Sequence, residues 1–119
     1  MKNGSFFDRC GYALNGVRTV FVREKSFRMH CGFALLAIAV AAFTQPDLIW
    51  WAIVGLCIAI VFAAEMVNAA LEYLIDRLHP ERHEEIGHAK DAAAGGVLLA
   101  NIGLGCVGVL MIVDWWLLR

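Results

Sequence analysis

Paired cysteines are missing from this chain. Cys10, Cys31, Cys57 and Cys106 are scattered one to a segment, so neither a disulfide framework nor a zinc spacing is written here, and the four read as small packing residues. No GxxxxGK[ST] and no GxGxxG occurs, which argues against a soluble kinase or P-loop fold. His83 and His88 stand five apart rather than four, so the 79–88 segment with its three histidines is not the HExxH pattern and reads as a solvated polar loop. Residues 1–25 lack an apolar h-region, and no cleavable signal peptide is expected. Charge is scarce as well. Charged residues make up 18% against 61% hydrophobic, with a mean hydropathy of +0.66 over 119 residues. One domain of the membrane class follows from that composition, since a soluble globule of this size would be less apolar.

What is present is three apolar runs, Met29–Phe43, Leu48–Ala64 and Ala92–Val113. Each reaches the roughly twenty residues needed to cross a bilayer once flanks are counted. The expected fold is therefore all-α: a surface helix over about 5–24, then spans over about 27–44, 48–78 and 90–118. In 5–24, Phe7, Cys10, Leu14, Val17 and Phe21 recur at helical spacing among Asp8, Arg9, Asn15, Arg18 and Arg23. A basic amphipathic helix of this kind belongs in the headgroup plane. Pro46 breaks the chain between the first two spans, and Asp47 stands where an N-cap belongs. Six of the ten Lys and Arg residues precede the first span, none lies in the Thr44–Asp47 turn, three fall in the second connection and one is Arg119. That bias predicts a cytoplasmic N-terminus and second loop, with the first turn and the C-terminus outside. Trp50, Trp51, Trp115 and Trp116 mark the outer interface. Small residues from Ala92 to Gly108 in the third span permit close helix approach in lipid, and Asn101 suggests an interhelical hydrogen bond.

The stretch that carries chemistry begins at Glu65. Glu65, Asn68, Glu72 and Asp76 are spaced three, four and four apart, which places them on one helical stripe about 80° wide. No packing need explains it. Glu65 follows seventeen uncharged residues, and an ionisable group at the end of such a run marks a functional site. If the span begins near Ile49, its inner boundary falls near Asn68, leaving Glu65 a turn inside and Glu72 and Asp76 in the cytosol. A partly desolvated carboxylate at that depth suits general-base work on a lipid hydroxyl. Glu72, wetter and able to meet Glu24 from the start of the first span, suits Mg²⁺, which takes a few carboxylates with phosphate oxygens and water. Lys90 and Asp91 open the third helix in this reading, where a phosphate would be favoured, and Lys90 can pair with its oxygens.

Together, Glu65-x-x-Asn68-x-x-x-Glu72-x-x-x-Asp76, the run Ala89-Lys90-Asp91-Ala92-Ala93-Ala94-Gly95, and Glu24-Lys25-Ser26-Phe27-Arg28 resemble the small bacterial integral-membrane diacylglycerol kinase and undecaprenol kinase family, over nearly the whole chain. The resemblance implies a homotrimer of three-span protomers in the bacterial plasma membrane, with cytoplasmic active sites moving the ATP γ-phosphate to a lipid hydroxyl. It implies Glu65 as general base and Glu24 and Glu72 as Mg²⁺ ligands. Tyr12, Glu24, Glu72, Glu81, Arg82, His83, Lys90 and Asp91 are implied as contacts to ATP, and Asn68, Asp76 and Arg28 as supports. Ala94 and Arg9, with Glu65, fall where the lipid is handled. Ser5 and Asp8 stand where the diacylglycerol branch carries basic residues, and Ala94 replaces its serine. The runs Lys90–Gly95 and Phe27–His30 sit closer to the undecaprenol branch. The alternative function is a small proton-coupled multidrug exporter using the embedded Glu65. It has no need of the Lys90-Asp91 motif. No nucleic-acid partner is expected.

Overall fold

A computed structural model of the protein describes residues 4–119. Its described part is built of four helices, α1 (Phe6–Arg23), α2 (Lys25–Thr44), α3 (Leu48–Leu78) and α4 (Glu84–Leu118). The last three are long and apolar enough to cross a membrane. α3, with 31 residues, rises about 46 Å, and some 30 Å of that is enough for the hydrocarbon layer. α3 is therefore longer than such a layer, and its last turns carry its charged residues. That surplus length positions the site.

Each helix end has a local cause. Ser5 and Asp8 close a capping box at the start of α1, each side chain bonding the other's backbone N–H at 3.2 Å. This gives Ser5 and Asp8 a physical role where the resembled branch carries basic residues. α1 and α2 are separated by one extended residue, Glu24 (φ −106°, ψ 111°). Arg28 fixes that corner: its Nη1 donates to the free carbonyls of Phe21 (2.6 Å) and Val22 (2.8 Å) at the end of α1. α2 ends on Gln45, held at φ +46° directly before Pro46, which cannot continue a helix. Asp47 occupies the N-cap position of α3, but its side chain makes no capping bond. Its carbonyl instead accepts from the Trp50 N–H at 2.9 Å, as a tight turn allows without the carboxylate.

The third expected span begins earlier than residue 90. α4 starts at Glu84, with His83 as N-cap accepting the Glu85 N–H on Nδ1 at 3.2 Å. Glu84 and Glu85 suit the positive end of the helix dipole in its first turn. Lys90 thus lies in the second turn of α4, and its backbone is not the helix N-terminus that the sequence reading gave it. The connection from α3 is correspondingly short.

Two apolar clusters hold the protomer. One joins α1, α2 and α3 through Val20, Phe27 and Ala69, with Cys31, Phe62, Met66 and Tyr73 packed around them. The other joins α2, α3 and α4 through Ala41, Val54 and Met111, with Ala37, Val40, Trp50, Ile58 and Val107. At that second end Arg119 donates to the Gln45 carbonyl (2.7 Å) and pairs with Asp114 (3.3 Å), tying the end of α4 to the α2–α3 turn. Many large apolar side chains, Leu35, Leu56 and Leu98 among them, remain exposed, as helices solvated by lipid permit. Two features of α4 belong to the single protomer. Within it, Asn101 Nδ2 donates to the Val97 carbonyl of its own helix at 2.9 Å. Methyl groups added at Gly95, Gly96, Gly103, Gly105 or Gly108 would meet nothing within 4 Å, so these glycines close no helix approach within the protomer.

Candidate active site

The acidic stripe of α3 lies at the end of the molecule opposite Arg119, and the structure gives all four of its members partners on other helices or on α3 itself. Glu65 is the deepest. It is 3% exposed, and burying a carboxylate to that degree is costly without partners. α2 supplies them from its first turns. The Ser26 hydroxyl donates to Glu65 Oε2 at 3.4 Å, and Nδ1 of His30, one turn further along α2, lies against Oε1. One carboxylate oxygen thus accepts from a hydroxyl, while the other lies in contact with an imidazole whose buried Nδ1 forms no hydrogen bond. Ser26 itself is exposed, so the hydroxyl side of Glu65 is the side nearer the surroundings.

Glu24 comes to α3 one to two turns further out. Its Oε1 accepts from the Tyr73 hydroxyl at 2.8 Å, and the Arg23 guanidinium stands over the Tyr73 ring 5.2 Å from its centre. Since Tyr73 follows Glu72 in sequence, this bond docks the Glu24 corner beside the outer half of the stripe. Asn68 Nδ2 donates to Glu72 Oε1 at 3.4 Å, while Asn68 Oδ1 is buried without a hydrogen-bond partner. Asp76, expected at the wet end, accepts a 2.6 Å bond from Lys90 Nζ. α3 and α4 are clasped there, and Lys90 is brought onto the stripe by its side chain.

Other sequence-predicted residues are not gathered within one protomer. Tyr12 and Arg9 stand on the exposed face of α1, with no side-chain hydrogen bond to the stripe among the described residues. Glu81, Arg82 and His83 are exposed around the α3–α4 connection, where His79 bonds the Glu81 carbonyl at 3.2 Å. Asp91 and Ala94 are exposed on α4. Among the described residues no three His, Cys, Asp or Glu side chains converge as a metal cage. Three contact residues were missed by the sequence reading: Ser26, His30 and Tyr73. A signal for two of them existed, because Ser26 and His30 are four apart and so share a face of a helix that is apolar from Cys31 onward.

The sequence profile described as prokaryotic diacylglycerol kinase matches residues 11–112. The chain belongs to that family. A diacylglycerol kinase of Escherichia coli (strain K12) is 34% identical over 92 residues, covering 77% of this chain and 75% of the relative. The diacylglycerol kinase of Haemophilus influenzae is 33% identical over 96 residues, with 81% of each covered. An undecaprenol kinase of Bacillus subtilis is 28% identical over 106 residues, covering 89% of this chain and 86% of the relative. These relatives are lipid kinases, which is the class of enzyme this family membership assigns. The exporter reading is not favoured by any of them.

Proposed function

We propose that this protein transfers the γ-phosphoryl group of ATP to the hydroxyl of a membrane lipid, either diacylglycerol or undecaprenol, from the cytoplasmic face of a bacterial plasma membrane. The observation that carries the reading is the state of Glu65: a buried carboxylate at the end of an apolar span, one oxygen in contact with His30, the other accepting from a hydroxyl. Ser26 Oγ marks where an alcohol sits relative to Oε2. A lipid hydroxyl arriving laterally would take that place and give its proton to Glu65. As it does, the lipid oxygen bonds to the γ-phosphorus and the bond to the β–γ bridging oxygen breaks, releasing ADP.

Phosphoryl transfer is mostly positioning and charge neutralisation. Glu24 and Glu72 are the residues that would hold Mg²⁺, which would offset the charge of the β- and γ-phosphates. The donor set fits: Mg²⁺ is satisfied by one or two carboxylates plus phosphate oxygens and water, and the unpartnered Asn68 Oδ1 beside Glu72 is a further hard oxygen. Lys90, steadied by Asp76, answers the remaining phosphate charge. Tyr12, Glu81, Arg82, His83 and Asp91 are assigned to ATP, Arg28 to support of the Glu24 corner, and Arg9 and Ala94 to the lipid side. α1 is assigned to the headgroup plane, its exposed Phe7, Leu14, Val17 and Phe21 toward the acyl chains. Three copies per enzyme would bring α1 and α4 residues of one protomer to the stripe of another.

The test is direct. Purified protein in mixed micelles, given Mg²⁺ and γ-labelled ATP, is offered diacylglycerol and undecaprenol in parallel, with Glu65→Gln alongside. Labelled lipid from the wild type and almost none from the folded variant is the expected outcome. Turnover by Glu65→Gln at the wild-type rate would remove the base assignment, and label in neither lipid would remove the function.

A further inference from the structure

We propose that His30 is a positioning residue for the transfer reaction, holding Oε1 of Glu65 so that Oε2 alone faces the acceptor hydroxyl. The inference rests on Glu65 as the base. α2 is apolar from Cys31 to Phe43, and a half-buried imidazole at its start needs a polar partner. The partner it has is Glu65: Nδ1 lies against Oε1, with the His30 side chain 16% and the Glu65 side chain 4% exposed. Nδ1 is buried with no hydrogen bond formed, and Oε1 is the acceptor within its reach; against an ionised carboxylate, which only accepts, Nδ1 is the atom that would carry the hydrogen. The void that His30 borders with Phe33, Phe62 and Asn101 measures about 10 Å³, no more than the least volume that holds a water. Glu65 Oε1 is thus the polar atom in contact with this nitrogen.

The two α2 neighbours of Glu65 are unequal. His30 is half-buried, packed 6.1 Å from the Phe33 ring centre, and in close contact. Ser26 is exposed and long at 3.4 Å. An incoming alcohol can displace the second and not the first. A base free to turn about its terminal torsion, which is broad for Glu, would spend most of its time aimed elsewhere. His30 removes that freedom.

The experiment uses the full-length protein in mixed micelles, comparing His30→Ala, His30→Asn, Glu65→Gln and the double variant Glu65→Gln/His30→Ala. Thermal unfolding is recorded for each. An Asn amide nitrogen sits two bonds beyond Cβ, as Nδ1 does, so His30→Asn keeps the donor and serves if the alanine variant fails to fold. Expected for His30→Ala is a kcat lowered about 10- to 100-fold, the value of a hydrogen bond to a charged group, with the KM for ATP within about twofold. His30→Asn should regain most of the rate, and His30→Ala should lower the residual rate of Glu65→Gln no further. Wild-type kcat in His30→Ala overturns the proposal, as does a folded His30→Asn that is as slow as alanine, or a full further loss in the Glu65→Gln background. If Glu65→Gln is itself fully active, the base assignment falls and this inference with it; if Glu65→Gln is inactive and His30→Ala is normal, this inference falls alone.

Discussion

Replacing Tyr73 by Phe removes one hydroxyl and keeps the ring, so the apolar cluster around Val20, Phe27 and Ala69 stays packed. What is lost is the 2.8 Å bond to Glu24 Oε1. A neutral donor on a charged acceptor contributes about 1.5–3 kcal/mol. Tyr73 and Glu24 are both half-buried, so water reclaims part of the bond and the lower end applies. If Glu24 binds Mg²⁺ as proposed, an outer partner of this kind affects metal affinity about 10- to 100-fold, and the same exposure argues for about tenfold. The assay is lipid phosphorylation at saturating ATP across a Mg²⁺ titration. The half-saturating Mg²⁺ should rise about tenfold in Tyr73→Phe while kcat at saturation stays within about twofold. Mn²⁺ bound to the protein, read by electron paramagnetic resonance, should weaken in parallel. An unchanged Mg²⁺ curve would refute the role given to Tyr73, and a collapse of kcat at all Mg²⁺ concentrations would show that the ring packing had been disturbed instead.

Further outcomes follow from the same geometry. Lys90 and Asp76 are 39% and 65% exposed at the side chain, so a double-mutant cycle on unfolding should give a coupling below about 1 kcal/mol, while Lys90→Ala raises the KM for ATP about tenfold if it contacts phosphate. Met111→Ala empties a site that is 1% exposed; with no hydrophobic drive between helices in lipid, detergent-unfolding measurements should show a loss near about 2 kcal/mol, the low end for Met→Ala in cores. Ser5→Ala should cost α1 about 1 kcal/mol, seen as faster amide exchange over its first two turns.

Much of the architecture is legible in the chain because it is local. Leu48–Leu78 is an unbroken helical pattern bounded by Pro46 and Pro80, and α3 has those same bounds. The acidic stripe was readable for the same reason, since helical spacing alone puts four side chains on one face. The start of α4 was misread because Glu84 and Glu85 look like loop residues by charge, though acidic side chains in a first turn are a helix signal. The bond from Asn101 to the carbonyl four residues back was not readable, because it leaves no trace in composition. Ser26, His30 and Tyr73 were missed for a deeper reason. Which residue of α2 faces Glu65 depends on the angle and register between two helices, and no period within either helix contains that number.

Glu24 is at once the corner of the chain and a carboxylate docked on α3. Its own φ and ψ are the pair that set how α1 leaves α2, for no spacer residue intervenes. Any change in the angle between α1 and α2 is therefore geared straight into the position of that acid, so the hinge of the chain and the placement of its carboxylate are one and the same degree of freedom.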